Sequence, residues 1–187
     1  MERDNKEQKY LFRSTRLGFR DWREEDIPKM VAINADPIAM EFFPSLVGAS
    51  ETADFIARMR YQLEQKRHCY FAVDELETGA FIGFIGLSEQ TYKADFTPCV
   101  DIGWRLSPQF WNRGYATEGA LRCLEYAFND LNLLSVYATC PVINEKSENV
   151  MKKAGMHRVK NFMHSRMLGN ERLQECVLYH IHNPAIR

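Results

Sequence analysis

The chain has 187 residues, 45% hydrophobic and 26% charged, the proportions of an ordinary globular domain. Its 24 Lys and Arg against 25 Asp and Glu leave a formal net charge of −1, without the basic excess of a general nucleic-acid or anionic-membrane binder. Its 5 cysteines are odd in number and show no C-x-x-C spacing, which excludes a disulfide framework and a zinc knuckle and suits reduced thiols.

The first residues, MERDNKEQKYLF, are charged and lack the apolar stretch of a signal peptide. No apolar run reaches the length of a membrane span, so the expected location is cytoplasmic. Residues 1–12 read as a flexible arm, and residues 13–187 as a single domain with no linker or repeat. Residues 15–22 alternate like a strand. A helix follows over 21–36, with acids in its first turn and Pro28 near its start. The stretch 37–45, PIAMEFFPS, is apolar but broken by prolines, hence a loop or short helix. Ser50 and Thr52 open a second helix running to about residue 66, with Phe55, Met59 and Leu63 on one stripe.

Residues 69–75 and 80–90 read as a strand pair turned by LETG, and 91–98 as a loop. Residues 99–107 form another strand. From 114 to 131, Ala116, Ala120, Leu124, Ala127, Phe128 and Leu131 mark a long amphipathic helix. A strand over 134–140 stops at Pro141, a helix over 144–155 ends at Gly155, and strands over 157–168 and 174–182 close the chain. The consecutive strands call for antiparallel pairing, and the strand–helix–strand unit at 99–140 for a parallel crossover. The fold class is therefore α+β, with one largely antiparallel sheet flanked by helices.

The entrance to the long helix, QFWNRGYATEG at 109–119, carries the first chemistry. The opening N–H groups of a helix lack internal acceptors, and the macrodipole adds about half a positive charge there, which suits a phosphate. Gly114 allows a sharp turn and close backbone approach, Arg113 adds a cation and Thr117 a hydroxyl. Taken alone, such an entrance also serves plain packing. The segment GWRLSPQFWNRGYATEGALRCLEYAF resembles the coenzyme A segment of the GCN5-related N-acetyltransferases (GNAT), in particular the branch containing the ribosomal-protein-alanine N-acetyltransferases. NEKSENVMKKAGM at 144–156, TRLGFRDWREED near the start and VDIGWRL match further family segments in the same order. Asn112, Lys152 and Met156 depart from the family's usual Gly, Glu and Phe.

The resemblance implies a GNAT acyl-CoA N-acyltransferase fold, an acetyl-CoA cosubstrate and no metal. By carry-over, Trp111, Asn112, Arg113, Gly114, Tyr115, Ala116 and Thr117 wrap the pyrophosphate, chiefly through main-chain N–H groups. Trp104, Arg105 and Leu106 would sit on a strand that carries a bulge and splays from the strand at 134–140, so that pantetheine pairs with its backbone. Asn144 and Ser147 would contact the pantetheine or the acceptor.

Transfer to an amine needs a base, a polarised carbonyl and a proton for the leaving thiolate. The candidate bases are Asp101, on the carbonyl-bearing strand, Glu89, and Glu41 in the segment that would roof the acceptor cleft with the 91–98 loop. Ser147 is the candidate acid. The Tyr that many relatives carry in this helix reads Met151 here, and Tyr137 and Tyr115 stand as unranked substitutes. Trp111, Asn144 and the carboxylates have structural alternatives: core packing, helix capping and surface ion pairs. His180 and His182 share a strand face without an acid or Cys partner and read as surface residues. The cations Lys146, Lys152, Lys153, Arg158 and Lys160 read as a solvated helix face or a contact for the coenzyme's 3′-phosphate.

The partner expected is an amine, either a peptide N-terminus or a small molecule; a homodimer is compatible with this reading. The competing class is a non-catalytic acyl-CoA-binding sensor or scaffold.

Overall fold

A computed structural model describes residues 9–186. Among them, eight strands make one sheet in the order β1-β2-β3-β4-β5-β6-β8-β7. The strands are β1 (Phe12–Arg13), β2 (Leu17–Arg20), β3 (Tyr70–Glu75), β4 (Phe81–Gln90), β5 (Cys99–Leu106), β6 (Ser135–Pro141), β7 (His157–Met163) and β8 (Glu175–His182). The helices are α1 (Ile27–Asn34), α2 (Ala49–Lys66), α3 (Tyr115–Asn129) and α4 (Glu145–Lys153). Every neighbouring pair is antiparallel except β5 and β6, which α3 joins by a crossover. This is the α+β arrangement expected from the sequence, one largely antiparallel sheet flanked by helices.

The core forms where the two periodicities meet. α3 buries Ala120, Cys123, Leu124, Ala127 and Phe128, three or four residues apart, against the sheet. Gly119 lets that helix approach closely, because a Cβ there would overlap the Ile85 side chain. On the sheet's other face, Trp22, Phe55, Tyr70 and Phe84 pack ring against ring at 5.1–6.5 Å.

Three details differ from the sequence reading. Of the arm expected over 1–12, residues 1–8 lie outside the described residues. The remainder is held: Tyr10 donates to Asp74 at 3.2 Å, and Phe12 in β1 stacks on Phe19 and Tyr126. Two residues are too few to show a period, so their pairing depends on where Phe12 docks. The bulge expected in β5 is absent, because its register with β4 runs unbroken from Gln90↔Cys99 to Gly83↔Leu106. The splay expected between this strand and the one at 134–140 is present without it: β6 bridges β5 only at Asp101↔Tyr137.

Arg20 is fully enclosed between two carboxylates. Its Nη1 and Nη2 donate to Asp26 at 2.6 and 2.8 Å, while Nε and Nη2 donate to Asp74 at 2.9 and 2.8 Å. Lys9 adds an ion pair to Asp74 at 2.8 Å. Replacing Arg20 by alanine leaves the buried Asp26 without a counter-charge and Asp74 with Lys9 alone, and is expected to cost about 3–5 kcal/mol in urea denaturation. Burial works to raise the Asp74 carboxyl, but its bonds to Arg20 and Lys9 outweigh it and hold the group below its ordinary value. Its share of the stability is therefore lost as pH falls through that depressed value.

No helix among the described residues is long and apolar enough to cross a membrane.

Candidate active site

The divergence of β5 and β6 opens a cavity of about 650 Å³. From Ile102 onward β5 has no strand partner on its β6 side. Main-chain groups on that edge are therefore available to a ligand. The start of α3 lies at one end of the cavity, with Asn112, Gly114, Tyr115, Ala116 and Thr117 on the wall. Glu118 is the first residue whose N–H is satisfied by the helix, donating to the Gly114 carbonyl at 3.0 Å. The N–H groups just before it find no acceptor in the helix, as at any helix start. Asn112 and Gly114 both adopt left-handed backbone, φ 60° and 81°. That conformation curls the loop into a concave cradle suited to an anion.

A clamp from the far N-terminal segment holds this cradle. Glu118 accepts from the Ser14 hydroxyl, the Arg16 N–H and Arg16 Nε, each at 2.7 Å. Arg16 Nη1 donates to the Arg113 carbonyl at 3.0 Å. Burial would raise the Glu118 carboxyl, yet these bonds keep it below its ordinary value. The sequence reading missed this clamp, because its partners lie about a hundred residues apart. Trp111 donates from Nε1 to the Leu106 carbonyl at 2.8 Å and packs on the core, so its ring anchors the loop. Lys146 sits 5.0 Å over that ring. Arg113 is exposed, lies 3.9 Å from Glu75 and is not on the cavity wall.

Asp101 lies on the wall where β5 begins to part from β6. Burial pushes its carboxyl up to about 6, even though Tyr70 donates to Oδ1 at 2.6 Å and Gln90 donates at 3.2 Å. Such a group is largely ionised at neutral pH yet can accept a proton. The other two carboxylate candidates are elsewhere. Glu89 is exposed and paired with Lys66 at 3.3 Å, and Glu41 is exposed and paired with Arg172 at 3.1 Å; neither lines the cavity. The segment around Glu41 does form a roof, through Phe42 and Phe43. No residue of the 91–98 loop lines the cavity. That loop packs behind the wall instead, with Phe96 against Tyr137 and Phe162, and Tyr92 stacked on the wall residue His164.

Trp104, Arg105 and Leu106 all line the cavity, as do Asn144 and Ser147. Asn144 caps α4 by accepting the Ser147 N–H at 3.1 Å, and Ser147 stands against the Cys140 thiol. Met151 is buried on the same wall. Tyr115 commits its hydroxyl to Glu75, and Tyr137 does not line the cavity. The basic patch divides. Lys152, Arg158 and Lys160 pair with Glu148 or Asp95, whereas Lys146 and Lys153 reach the wall. His180 and His182 have ring centroids 4.1 Å apart, but among the described residues no group of three or more His, Cys, Asp or Glu could hold a metal ion.

The remaining wall was not legible beforehand. Phe55, Tyr70 and Phe84 converge from α2, β3 and β4, and His164 comes from beyond β7. Period-2 alternation in β3 was a signal for Tyr70, but nothing local says which face meets a cavity.

Comparison with known proteins bears on the family and the fold. The chain is 31% identical over 157 residues to the uncharacterized N-acetyltransferase YnaD of Bacillus subtilis (strain 168), covering 83% of this chain and 88% of that protein. It superposes on the spermidine N-acetyltransferase from Vibrio cholerae, solved in complex with CoA and spermine, with TM-score 0.73 and 19% identity, covering 90% of this chain and 96% of that one. The ribosomal-protein-S5-alanine acetyltransferase from Vibrio fischeri shares the fold, with TM-score 0.71 and 16% identity over 94% of this chain and 98% of that one. The family model described as an acetyltransferase (GNAT) domain matches residues 16–157, and the chain belongs to the GNAT family of acetyltransferases.

Proposed function

We propose that this acetyltransferase moves the acetyl group of acetyl-CoA directly to a primary amine bound in the same cavity, with Asp101 as the base. The observation that carries the reading is the placement of a buried, raised carboxyl and an anion-ready helix start on one cavity, joined by the unpaired edge of β5. Acetyl-CoA supplies the activated thioester and, once bound, its carbonyl as the site of attack. The loop at 111–117 holds the diphosphate through main-chain N–H groups, and Lys146, 5.0 Å over the Trp111 ring, adds positive charge beside it. Trp104, Arg105 and Leu106 form the strand along which the pantetheine arm runs. Asp101 takes a proton from the bound ammonium to free the neutral amine that attacks, and the low polarity of the aromatic wall favours that neutral form. Ser147, at the start of α4, is the group proposed to return a proton to the thiolate.

Both acceptor classes named at the outset, a peptide N-terminus and a small amine, occur among the proteins of this fold described above, as a ribosomal-protein acetyltransferase and a spermidine acetyltransferase. A non-catalytic sensor has less support, because a carboxyl raised by burial has no part in merely holding a coenzyme. The test is release of free thiol on mixing the protein, acetyl-CoA and a panel of amines. Turnover that is lost in Asp101→Ala supports the reading; coenzyme binding without turnover on any peptide or small amine overturns it.

Tyr70→Phe gives a finer check on the base. Burial raises the Asp101 carboxyl, and the Tyr70 hydrogen bond opposes it. Removing that donor disfavours the ionised form, so the acid limb of the kcat/KM profile is expected to move upward from about 6, with acetyl-CoA affinity unchanged. An unmoved limb would assign the titration to another group.

A further inference from the structure

Arg105 is a cation enclosed in the cavity without a counter-charge. It faces the same side of β5 as Asp101, four residues on, and stands opposite Phe84 of β4. Its guanidinium carbon is 3.9 Å from the Phe43 ring centroid and 5.5 Å from that of Phe84. Nη1 donates to the Asn34 Oδ1 at 2.6 Å. Nε is buried and has no hydrogen-bond partner in the structure. Among the described residues no carboxylate lies within ion-pair distance of it.

Asn34 is oriented for this contact. Its Nδ2 donates to Thr52 Oγ1 at 2.9 Å, and Thr52 donates to the Gly48 carbonyl at 2.8 Å. The relay points a neutral oxygen at Arg105, giving it a hydrogen bond but no charge. Burial lowers the guanidinium to about 10, which still leaves it cationic at neutral pH. Burying a charge against one neutral acceptor is costly unless an anion arrives.

From these facts we infer that Arg105 selects the acceptor: the amine substrate also carries a carboxylate, which binds the guanidinium while the amine sits at Asp101. This rests on the acetyltransfer reading above and narrows its substrate class. The charges on the cavity wall point the same way. Among the described residues Asp101 is the one carboxylate on that wall, whereas Arg105, Lys146 and Lys153 are cations. Lys146 and Lys153 stand at opposite ends of α4, Lys146 over the Trp111 ring of the loop, whereas Arg105 lies on β5 against Phe43 of the roof, which sets Arg105 against the acceptor. A polyamine would set its second ammonium against Arg105 with no acid to receive it. A monoanion balances one guanidinium, whose planar fork matches a carboxylate. A phosphate dianion would leave an excess charge among Phe42, Phe43, Phe55 and Phe84. Residues four apart on a strand have Cα atoms about 13 Å apart. The amine and carboxylate are therefore separated by a spacer, and the aromatic wall favours an apolar one.

The experiment compares kcat/KM for 4-aminobutanoate, 6-aminohexanoate and 8-aminooctanoate with their primary amides and with spermidine. At least one acid is expected to exceed its amide tenfold or more, and spermidine to trail. Arg105→Gln is expected to shrink that preference to less than threefold. Asn34→Asp, which places an internal carboxylate on Arg105, is expected to raise KM for the acids by more than for the amides. Equal rates for acids and amides, a preference that survives both substitutions, or spermidine as the best acceptor would each overturn the inference. Where turnover is too slow to measure, calorimetry of N-acetyl-6-aminohexanoate and its amide on the CoA-bound protein gives the same discrimination; equal affinities sink the idea. Calorimetry with acetyl-CoA alone separates the two readings. Failure to bind it removes acetyl transfer, whereas binding with no acid–amide difference removes only the role of Arg105.

Discussion

Asp101→Asn is expected to lower kcat by about 10²–10⁴-fold, the usual contribution of a positioned general base, while leaving acetyl-CoA affinity within about twofold. Asparagine is nearly the same shape, and its carboxamide oxygen can still accept the Tyr70 hydroxyl, which lies 2.6 Å from Oδ1. What it loses is the ability to take a proton. In the native enzyme the active form is the ionised carboxyl, so kcat/KM should fall about tenfold per unit as pH drops below about 6. The variant's residual activity should lack that limb. Stability should move the other way. A carboxyl raised from 3.8 to about 6 by burial is more costly to ionise folded than unfolded, so its contribution is fully present below 3.8 and is lost as pH rises through about 6. Asparagine carries no such charge. The melting temperature of Asp101→Asn relative to native should therefore climb across that window and stay higher at neutral pH. A variant that retains native turnover removes Asp101 from the chemistry. A relative melting temperature flat with pH shows that the carboxyl is not raised.

Gly114→Val is expected to weaken acetyl-CoA binding by tenfold or more in calorimetry, with Gly114→Ala between it and the native protein. Gly114 has φ 81°, and left-handed backbone costs an ordinary residue roughly 1–2 kcal/mol, more when it is β-branched. An added Cβ would also stand 3.4 Å from Arg16 Nη2, within the clamp that fixes the helix start. The valine chain can relieve the strain only by leaving the left-handed region. That swings the neighbouring N–H groups away from the cradle and loses the geometry on which anion binding depends. The fold should survive, because Gly114 is exposed and α3 begins after it. Native affinity in the valine variant would show that the diphosphate is held elsewhere.

Most of the sheet and all four helices could be read in advance, because each announces itself locally. Strand alternation, the α3 stripe, the Asn144 cap and Gly155 are properties of a few neighbouring residues. The left-handed turn at the helix start was legible for the same reason: a glycine before an amphipathic helix permits that backbone wherever it sits. The losses were contacts between distant segments. The two-residue β1, the Ser14 and Arg16 clamp on Glu118, the aromatic wall, and the absence of the 91–98 loop from the cavity all depend on which surfaces meet.

The three carboxylate candidates mark the boundary most clearly. Asp101, Glu89 and Glu41 were chemically similar choices from residue type and order. The amino-acid sequence alone determined the family motifs, the helix that offers its N–H groups and the strand that bears Asp101. Only the tertiary structure decided that Lys66 and Arg172 hold Glu89 and Glu41 at the surface, that Tyr70 and the cavity enclose Asp101, and that Arg105 is left without a carboxylate. The reason is physical: backbone conformation follows from steric limits between chain neighbours, whereas a charge takes its character from the water it loses and the partners it meets, and those come from anywhere in the chain.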